Sequence, residues 1–297
     1  MMTTKIYDEI TDEELASITS AIKNRYGIDF TSYEKKSLKR GFARLMGKKG
    51  MDTIVDLWKA ILSDHDFFKN SIDDLTVNLT ELFRNPEIWE MLDNDILEKL
   101  KSKPIINIWH AGCSTGEEVY SMAMVLDKKN LLHRTRAVAT DISKNALDKA
   151  IKGRYSNTLL AKYERSMQSY LPNGQISDMF QIDESNATIK SRFKNHVEFK
   201  YHNLVSDPAP KKFDIIFCRN VMIYFDDKLK LQVLDSFRNA LNEDGFLILG
   251  YYDMLPDKAK DYIMQYDPKT RIYQAKTSHA VEIDLNDRPF RTAQVSA

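Results

Sequence analysis

The run Gly112-Cys113-Ser114-Thr115-Gly116-Glu117-Glu118 places small residues directly before two carboxylates. Small side chains let backbone approach a bound group closely, and a helix start presents free amides to it. Gly112, Ser114 and Gly116 follow a G-x-S-x-G spacing, not the G-x-G-x-x-G of dinucleotide sites. Glu117 and Glu118 stand where a pyrophosphate would bind and would oppose it. A sulfonium or an ammonium would be welcomed there. Part of that charge has a plainer use, since acids at a helix N-terminus are themselves stabilising by ~0.3–1 kcal/mol. Asp141 lies 25 residues beyond Gly116, at the end of a second apolar run, where a carboxylate can accept both ribose hydroxyls. These spacings favour S-adenosylmethionine over a dinucleotide, and a dinucleotide-dependent oxidoreductase remains the competing reading.

The elements that must hold these residues alternate. Expected strands cover Ile105–Trp109, Arg136–Thr140, Val197–Tyr201, Phe213–Cys218 and Phe246–Gly250. Between them, expected helices cover Glu118–Leu126, a stretch from Ser143 or Asn145 to Ala150, and Lys228–Leu241. Such alternation implies a parallel sheet with helices on both faces. Tyr262–Tyr266 and Arg271–Ala275 flank Asp267-Pro268-Lys269-Thr270 and read as a closing hairpin. That ending is usual for class I methyltransferases, whose last strand runs antiparallel, and not for dinucleotide domains. About 40 residues from Gly153 to Lys194 break the alternation. Leu171–Gly174, Asp178–Asp183 and Asn186–Ser191 within them suggest short strands, so an inserted β-subdomain is expected over about 171–194.

The first 75 or so residues read as four short amphipathic helices. Thr11 with Glu14 and Thr31 with Glu34 fit capping boxes. Gly27 stops the first helix, and the second runs from about Ser32 to Met46, ended by Gly47 and Gly50. Asp52 opens the third, and Asp66 to Leu75 forms the fourth. The second helix carries Lys35, Lys36, Lys39, Arg40 and Arg44, either a solvated face or a docking surface for an acidic partner. Asn78 to Arg84 reads as a connector, and Pro86 can open the helix after it. The expected domains are therefore 1–76 (helical), 77–88 (connector), 89–280 (catalytic) and an extended or disordered tail at 281–297.

Composition sets few limits. The 297 residues carry 43 basic and 43 acidic side chains, so net charge argues for neither nucleic acid nor membrane. The polar N-terminus resembles no signal peptide, and no window reaches the ~20 apolar residues of a membrane span, so a cytoplasmic location without membrane insertion is expected. Cys113 and Cys218 read as buried free thiols. Scattered histidines offer no metal-ligand spacing, and no metal is expected.

Five motifs then accumulate in order: Asn78–Arg84 (NLTELFR), Cys113–Ser121 (CSTGEEVYS), Ala139–Ser143 (ATDIS), His202–Leu204 (HNL) and Phe217–Phe225 (FCRNVMIYF). With the helical first domain, they resemble the chemotaxis receptor glutamate O-methyltransferases, the CheR family, over about Thr11 to Lys276. One departure is Val119, where the family usually has proline after the paired glutamates. The resemblance implies a class I, Rossmann-like methyltransferase with a seven-stranded sheet, an antiparallel last strand, a small all-α N-terminal domain and a β-subdomain. It implies methyl transfer from S-adenosylmethionine to glutamates on the cytoplasmic helical domain of bacterial chemoreceptors, leaving γ-methyl esters and S-adenosylhomocysteine. By motif position, Asn78, Thr80, Arg84 and Glu118 would contact the methionine portion, Gly112 and Ser114 would form the cofactor turn, and Asp141 would hold the ribose. Asn203 and Leu204 would flank adenine, and Asn220 and Val221 would lie beside the methionine moiety. Arg84 and Tyr224 would sit nearest the transferring methyl. Lys36, Lys39, Arg40 and Arg44 would dock the acceptor. A methyltransferase acting on another protein or a small molecule is the nearest alternative.

Overall fold

A computed structural model describes residues 10–64, 66–75 and 80–276. Its first unit packs four helices, α1 (Asp12–Tyr26), α2 (Lys35–Lys49), α3 (Ile54–Ser63) and α4 (Phe67–Leu75), around Ile18, Ile22, Phe42, Leu57, Ile61 and Phe68. The Thr11–Glu14 capping box forms, and Gly27 closes α1 in the left-handed conformation that glycine tolerates. The second expected box does not form. Thr31 bonds Asp29 instead, and α2 begins at Lys35, with the Glu34 carboxylate accepting the amides of Lys36 and Ser37. The reason is tertiary: Ser32 to Glu34 is tied to a distant loop described below and cannot enter the helix. Gly47 lies inside α2, and Gly50 alone caps it. Likewise Thr53, not Asp52, caps α3, through a box with Asp56.

A helix opened by Pro86 follows. It runs as α5 (Pro86–Met91), a π-turn (Leu92–Ile96) and α6 (Leu97–Leu100). The sheet then has the order β6-β2-β1-β7-β8-β10-β9. Its strands are β1 (Ile106–Ala111), β2 (Thr135–Asp141), β6 (Val197–Tyr201), β7 (Phe213–Cys218), β8 (Leu241–Leu249), β9 (Ile263–Asp267) and β10 (Ile272–Ala275). Every neighbouring pair is parallel except those made by β10, the last strand, which pairs antiparallel with β8 and β9. Helices α7 (Glu117–Lys128), α8 (Lys144–Lys152) and α11 (Asp227–Ala240) cover the faces. Trp109 on β1 anchors one core against Phe213 and Phe237, while Trp89 and Phe217 stack in the other. This is the class I methyltransferase architecture with an all-α domain in front.

The insertion is a three-stranded antiparallel sheet, β3 (Arg154–Ser156), β5 (Asn186–Ile189) and β4 (Phe180–Ile182), in the order β3-β5-β4. It starts earlier than the sequence suggested and contains two unexpected helices, α9 (Leu160–Tyr170) and the single turn α10 (Ile176–Met179). Tyr163, Met167 and Tyr170 are the buried stripe of α9. Their spacing was visible but sparse among charged neighbours. Leu171 to Gly174 forms a turn, not a strand.

Candidate active site

The C-terminal ends of β1, β2, β6 and β7 converge on a cleft that is partly open to solvent. This is where open α/β sheets place ligands. Its floor is the turn between β1 and α7. The amides of Gly112 and Cys113 both donate to the Thr140 carbonyl, at 2.8 and 2.9 Å, locking the turn to β2. Gly112 is obligatory: its φ is +81°, and a Cβ there would lie 2.4 Å from Cγ2 of Val221 on the facing wall. Ser114 lines the floor, and its buried Oγ has no partner among the described residues.

Asp141 sits beside this floor. Its two carboxylate oxygens accept the Ser114 and Ser143 amides at 2.8 and 2.9 Å. Burial raises its pKa, partly countered by those amides. Each oxygen keeps a lone pair, so the carboxylate can still accept from a ligand. Asn203 and Leu204 line the neighbouring wall. Asn203 Oδ1 accepts the Val205 amide at 3.0 Å.

The other end of the cleft is assembled from distant segments. Thr80 and Arg84 enter from the connector, Glu118 from α7, Asn220, Val221 and Tyr224 from the loop after β7. Asn78 lies outside the described residues. Consecutive helix residues cannot share a face, so the paired acids part company. Glu117 points into the insertion, where Tyr163 donates to Oε1 at 2.7 Å and Thr115 to Oε2 at 2.6 Å. Glu118 alone reaches the cleft. The sequence left open which of the two acids faces the ligand; the structure brings Glu118 to the cleft lining.

Glu118 is also not a bare charge. His110 lies 3.0 Å from Oε1 and Arg219 3.2 Å from Oε2. Burial pushes its pKa up, but the His110 hydrogen bond and the Arg219 charge outweigh this and hold it below the ordinary carboxylate range. Arg219, 8% exposed, further donates to the Arg84 carbonyl at 2.9 Å and to Asn85 Oδ1 at 2.8 Å. It lies within FCRNVMIYF but received no role from the sequence. A cation directly after the apolar run Ile215–Cys218 was the signal available.

Two more residues escaped notice. Tyr33, from the helical domain, lines the cleft and packs edge-on against Phe225, centroids 5.1 Å apart. There the Glu34 amide donates to the Tyr224 carbonyl at 2.8 Å, and the Asp226 amide to the Ser32 carbonyl at 3.0 Å. Asp253, fully buried, accepts the amides of Asn220, Gly250 and Ile223 at 2.6, 2.8 and 3.1 Å and so shapes the loop carrying Tyr224. Strain marks the same region. Among the described residues, six non-glycines have positive φ; Phe83, Asn85, Ser114 and Asn220 line or flank the cleft.

Of the basic residues on α2, Lys39 pairs with Asp12 at 2.8 Å. Arg44 donates to the carbonyls of Asp74 and Leu75, at 2.9 and 3.1 Å, at the C-terminus of α4. Lys36 and Arg40 stand exposed without a partner among the described residues. Cys113 and Cys218 are buried free thiols whose pKa burial raises well above the usual thiol value. No helix among the described residues is long and apolar enough to cross a membrane.

The cleft's chemistry suits a nucleoside joined to an amino acid: a buried carboxylate, a floor hydroxyl without a partner among the described residues, apolar wall surface, and a Glu–Arg pair matching a zwitterion. Comparison with known proteins gives the same class. Residues 13–76 match the CheR methyltransferase all-alpha domain and residues 78–271 the CheR methyltransferase SAM binding domain. A Pseudomonas putida protein named as the methyltransferase Cher3 is 34% identical over 81% of this chain and 88% of its own length. A chemotaxis protein methyltransferase of Borreliella burgdorferi is 32% identical over 86% and 93%. Chemotaxis protein methyltransferase 1 of Vibrio cholerae is 30% identical over 83% and 90%. A dinucleotide oxidoreductase is thereby set aside: the chain belongs to the CheR methyltransferase family, and its cofactor is S-adenosylmethionine.

Proposed function

We propose that this chain methylates glutamate side chains on the cytoplasmic helical domain of bacterial chemoreceptors, yielding γ-methyl esters and S-adenosylhomocysteine for chemotactic adaptation. The enzyme would act in the cytoplasm. The observation carrying this reading is the junction of helix α2 with the cleft. The Glu34 amide bonds the Tyr224 carbonyl, and α2 starts one residue later. Lys36 and Arg40, four residues apart and so on one face, make an exposed cationic stripe that leads away from the cleft. An acidic helix lying along that stripe brings a glutamate to the cleft mouth. The names of the Borreliella and Vibrio relatives support a chemotaxis role.

S-adenosylmethionine supplies an electrophilic methyl on a sulfonium. In this assignment Asp141 holds the ribose, Asn203 and Leu204 flank adenine, and Gly112 and Ser114 form the floor. Thr80, Glu118, Asn220 and Val221 surround the methionine portion, as Asn78 would. Glu118 takes the ammonium, and Arg219, beside it, balances the carboxylate. Glutamate, with an unperturbed pKa of ~4.3, is already ionised at neutral pH and needs no general base. The protein's task is alignment and exclusion of water, which can supply ~7–11 kcal/mol. Arg84 orients the incoming carboxylate through its planar fork, and Tyr224 closes the methyl's surroundings.

The test is base-labile methyl release from a chemoreceptor signalling fragment incubated with labelled cofactor. Arg40→Glu should raise the acceptor KM about tenfold while leaving S-adenosylhomocysteine affinity unchanged. Arg44→Glu should also lower the Tm, because Arg44 caps α4. No base-labile label on the fragment would defeat the proposal.

A further inference from the structure

Tyr251, Tyr252 and Met254 are 59, 66 and 61% exposed, a dense apolar cluster on a loop where such residues are normally scattered. The two tyrosine rings meet edge-on with centroids 5.2 Å apart. Arg271, at the tip of the β9–β10 hairpin, holds its guanidinium 5.8 Å from the Tyr251 ring centre and 3.5 Å from the Met254 sulfur. The cluster is thus apolar with a cation set into it.

Its place in the fold gives it meaning. The loop leaves the C-terminal end of β8, the edge of the sheet on which the cleft opens. Asp253 stands between the exposed residues but is fully buried, and its carboxylate holds the amides of Asn220 and Ile223. Gly250, beginning the loop, has room for no side chain: a Cβ would lie 2.7 Å from the Asn220 nitrogen. The exposed cluster and the cleft wall carrying Asn220 to Tyr224 are therefore one mechanical unit.

We propose that Tyr251, Tyr252, Met254 and Arg271 form a second docking surface for the protein acceptor, engaging the apolar flank and an acidic side chain of the helix that presents its glutamate to the cleft. This rests on the acceptor reading above. Two arguments select that occupant. The surface is continuous, through Asp253, with the wall an incoming glutamate must reach, and Arg271 complements an acidic helix. Aromatic residues with arginine are also the composition of strong protein contacts.

The test uses the full chain with Tyr251→Ser, Tyr252→Ser and Met254→Ser combined, all exposed positions outside the core. Acceptor KM, affinity for the receptor fragment by calorimetry, S-adenosylhomocysteine affinity, and molecular mass in solution are measured. The proposal expects KM and fragment Kd to rise about tenfold, with kcat and S-adenosylhomocysteine affinity unchanged. Arg271→Glu should raise KM about threefold and steepen with falling salt. If the wild-type chain labels the fragment and the triple variant does so with unchanged KM and Kd, this surface is refuted and the acceptor reading stands. If the wild type labels nothing, the acceptor reading falls and this surface with it. A wild-type dimer that the triple variant dissolves assigns the surface to self-association and also overturns the proposal.

Discussion

The two ends of the cleft are built in different ways. The Asp141 end is local: Gly112, Ser114 and Asp141 lie within one β-α-β unit, held by the Gly112 and Cys113 amides on the Thr140 carbonyl and by the Ser114 amide on the Asp141 carboxylate. The Arg219 end joins the connector, α7, the loop after β7 and the β8 loop. A site made of neighbouring strands inherits its precision from the sheet. One assembled from remote segments needs buried ion pairs and carboxylate–amide bonds to fix it, and those serve the fold as well as the ligand.

That contrast sets the expected order of damage. Arg219→Ala removes one partner of a buried pair and should cost about 3–5 kcal/mol of stability, read by urea unfolding. The sign with pH follows. Glu118 has a lowered folded pKa, so its contribution is complete above the unfolded value of ~4.3 and is lost as pH falls through the folded value. Acid should therefore narrow the gap between wild type and variant. A gap constant with pH would break the link between that end and the fold.

Gly112→Ala should cost about 2 kcal/mol through its positive φ and its clash with Val221. Adding Val221→Ala should recover only the clash, dividing the two causes. Asp141→Asn should weaken S-adenosylhomocysteine about tenfold by calorimetry and lower the Tm less than Arg219→Ala does, since it leaves one amide without its carboxylate acceptor but unpairs no buried ion pair. An Asp141→Asn chain that fails to fold would erase the distinction. Tyr33→Leu should have the smallest effect, about a threefold loss of cofactor affinity, and would sharpen how far the helical domain belongs to the site.

The same contrast explains what could be read before the fold was seen. G-x-S-x-G, the acid after β2 and the strand–helix alternation are local patterns, so the sheet and the Asp141 end were legible. The acid pair was marked by its place at a helix start, but the choice of Glu118 and the role of Arg84 came only through motif resemblance, and their partner Arg219 was passed over because its contacts lie 101 and 135 residues away along the chain. Tyr33 and Asp253 left no local mark at all. The Thr31–Glu34 box matched its pattern yet failed, because tertiary bonds to Tyr224 and Asp226 claimed that backbone. Lys39 and Arg44 looked free as members of a basic run and are engaged within the helical domain.

The seam at Tyr33 has a further consequence. Its ring lines the cleft while its neighbours bond the backbone on either side of Phe225. Linkage then requires reciprocity: whatever factor the docked helical domain adds to cofactor affinity, bound cofactor must add to the docking of that domain. With cofactor in the cleft, product departure and loosening of the seam share one free energy, so an acceptor docked on α2 as proposed would act on the release of S-adenosylhomocysteine without touching it.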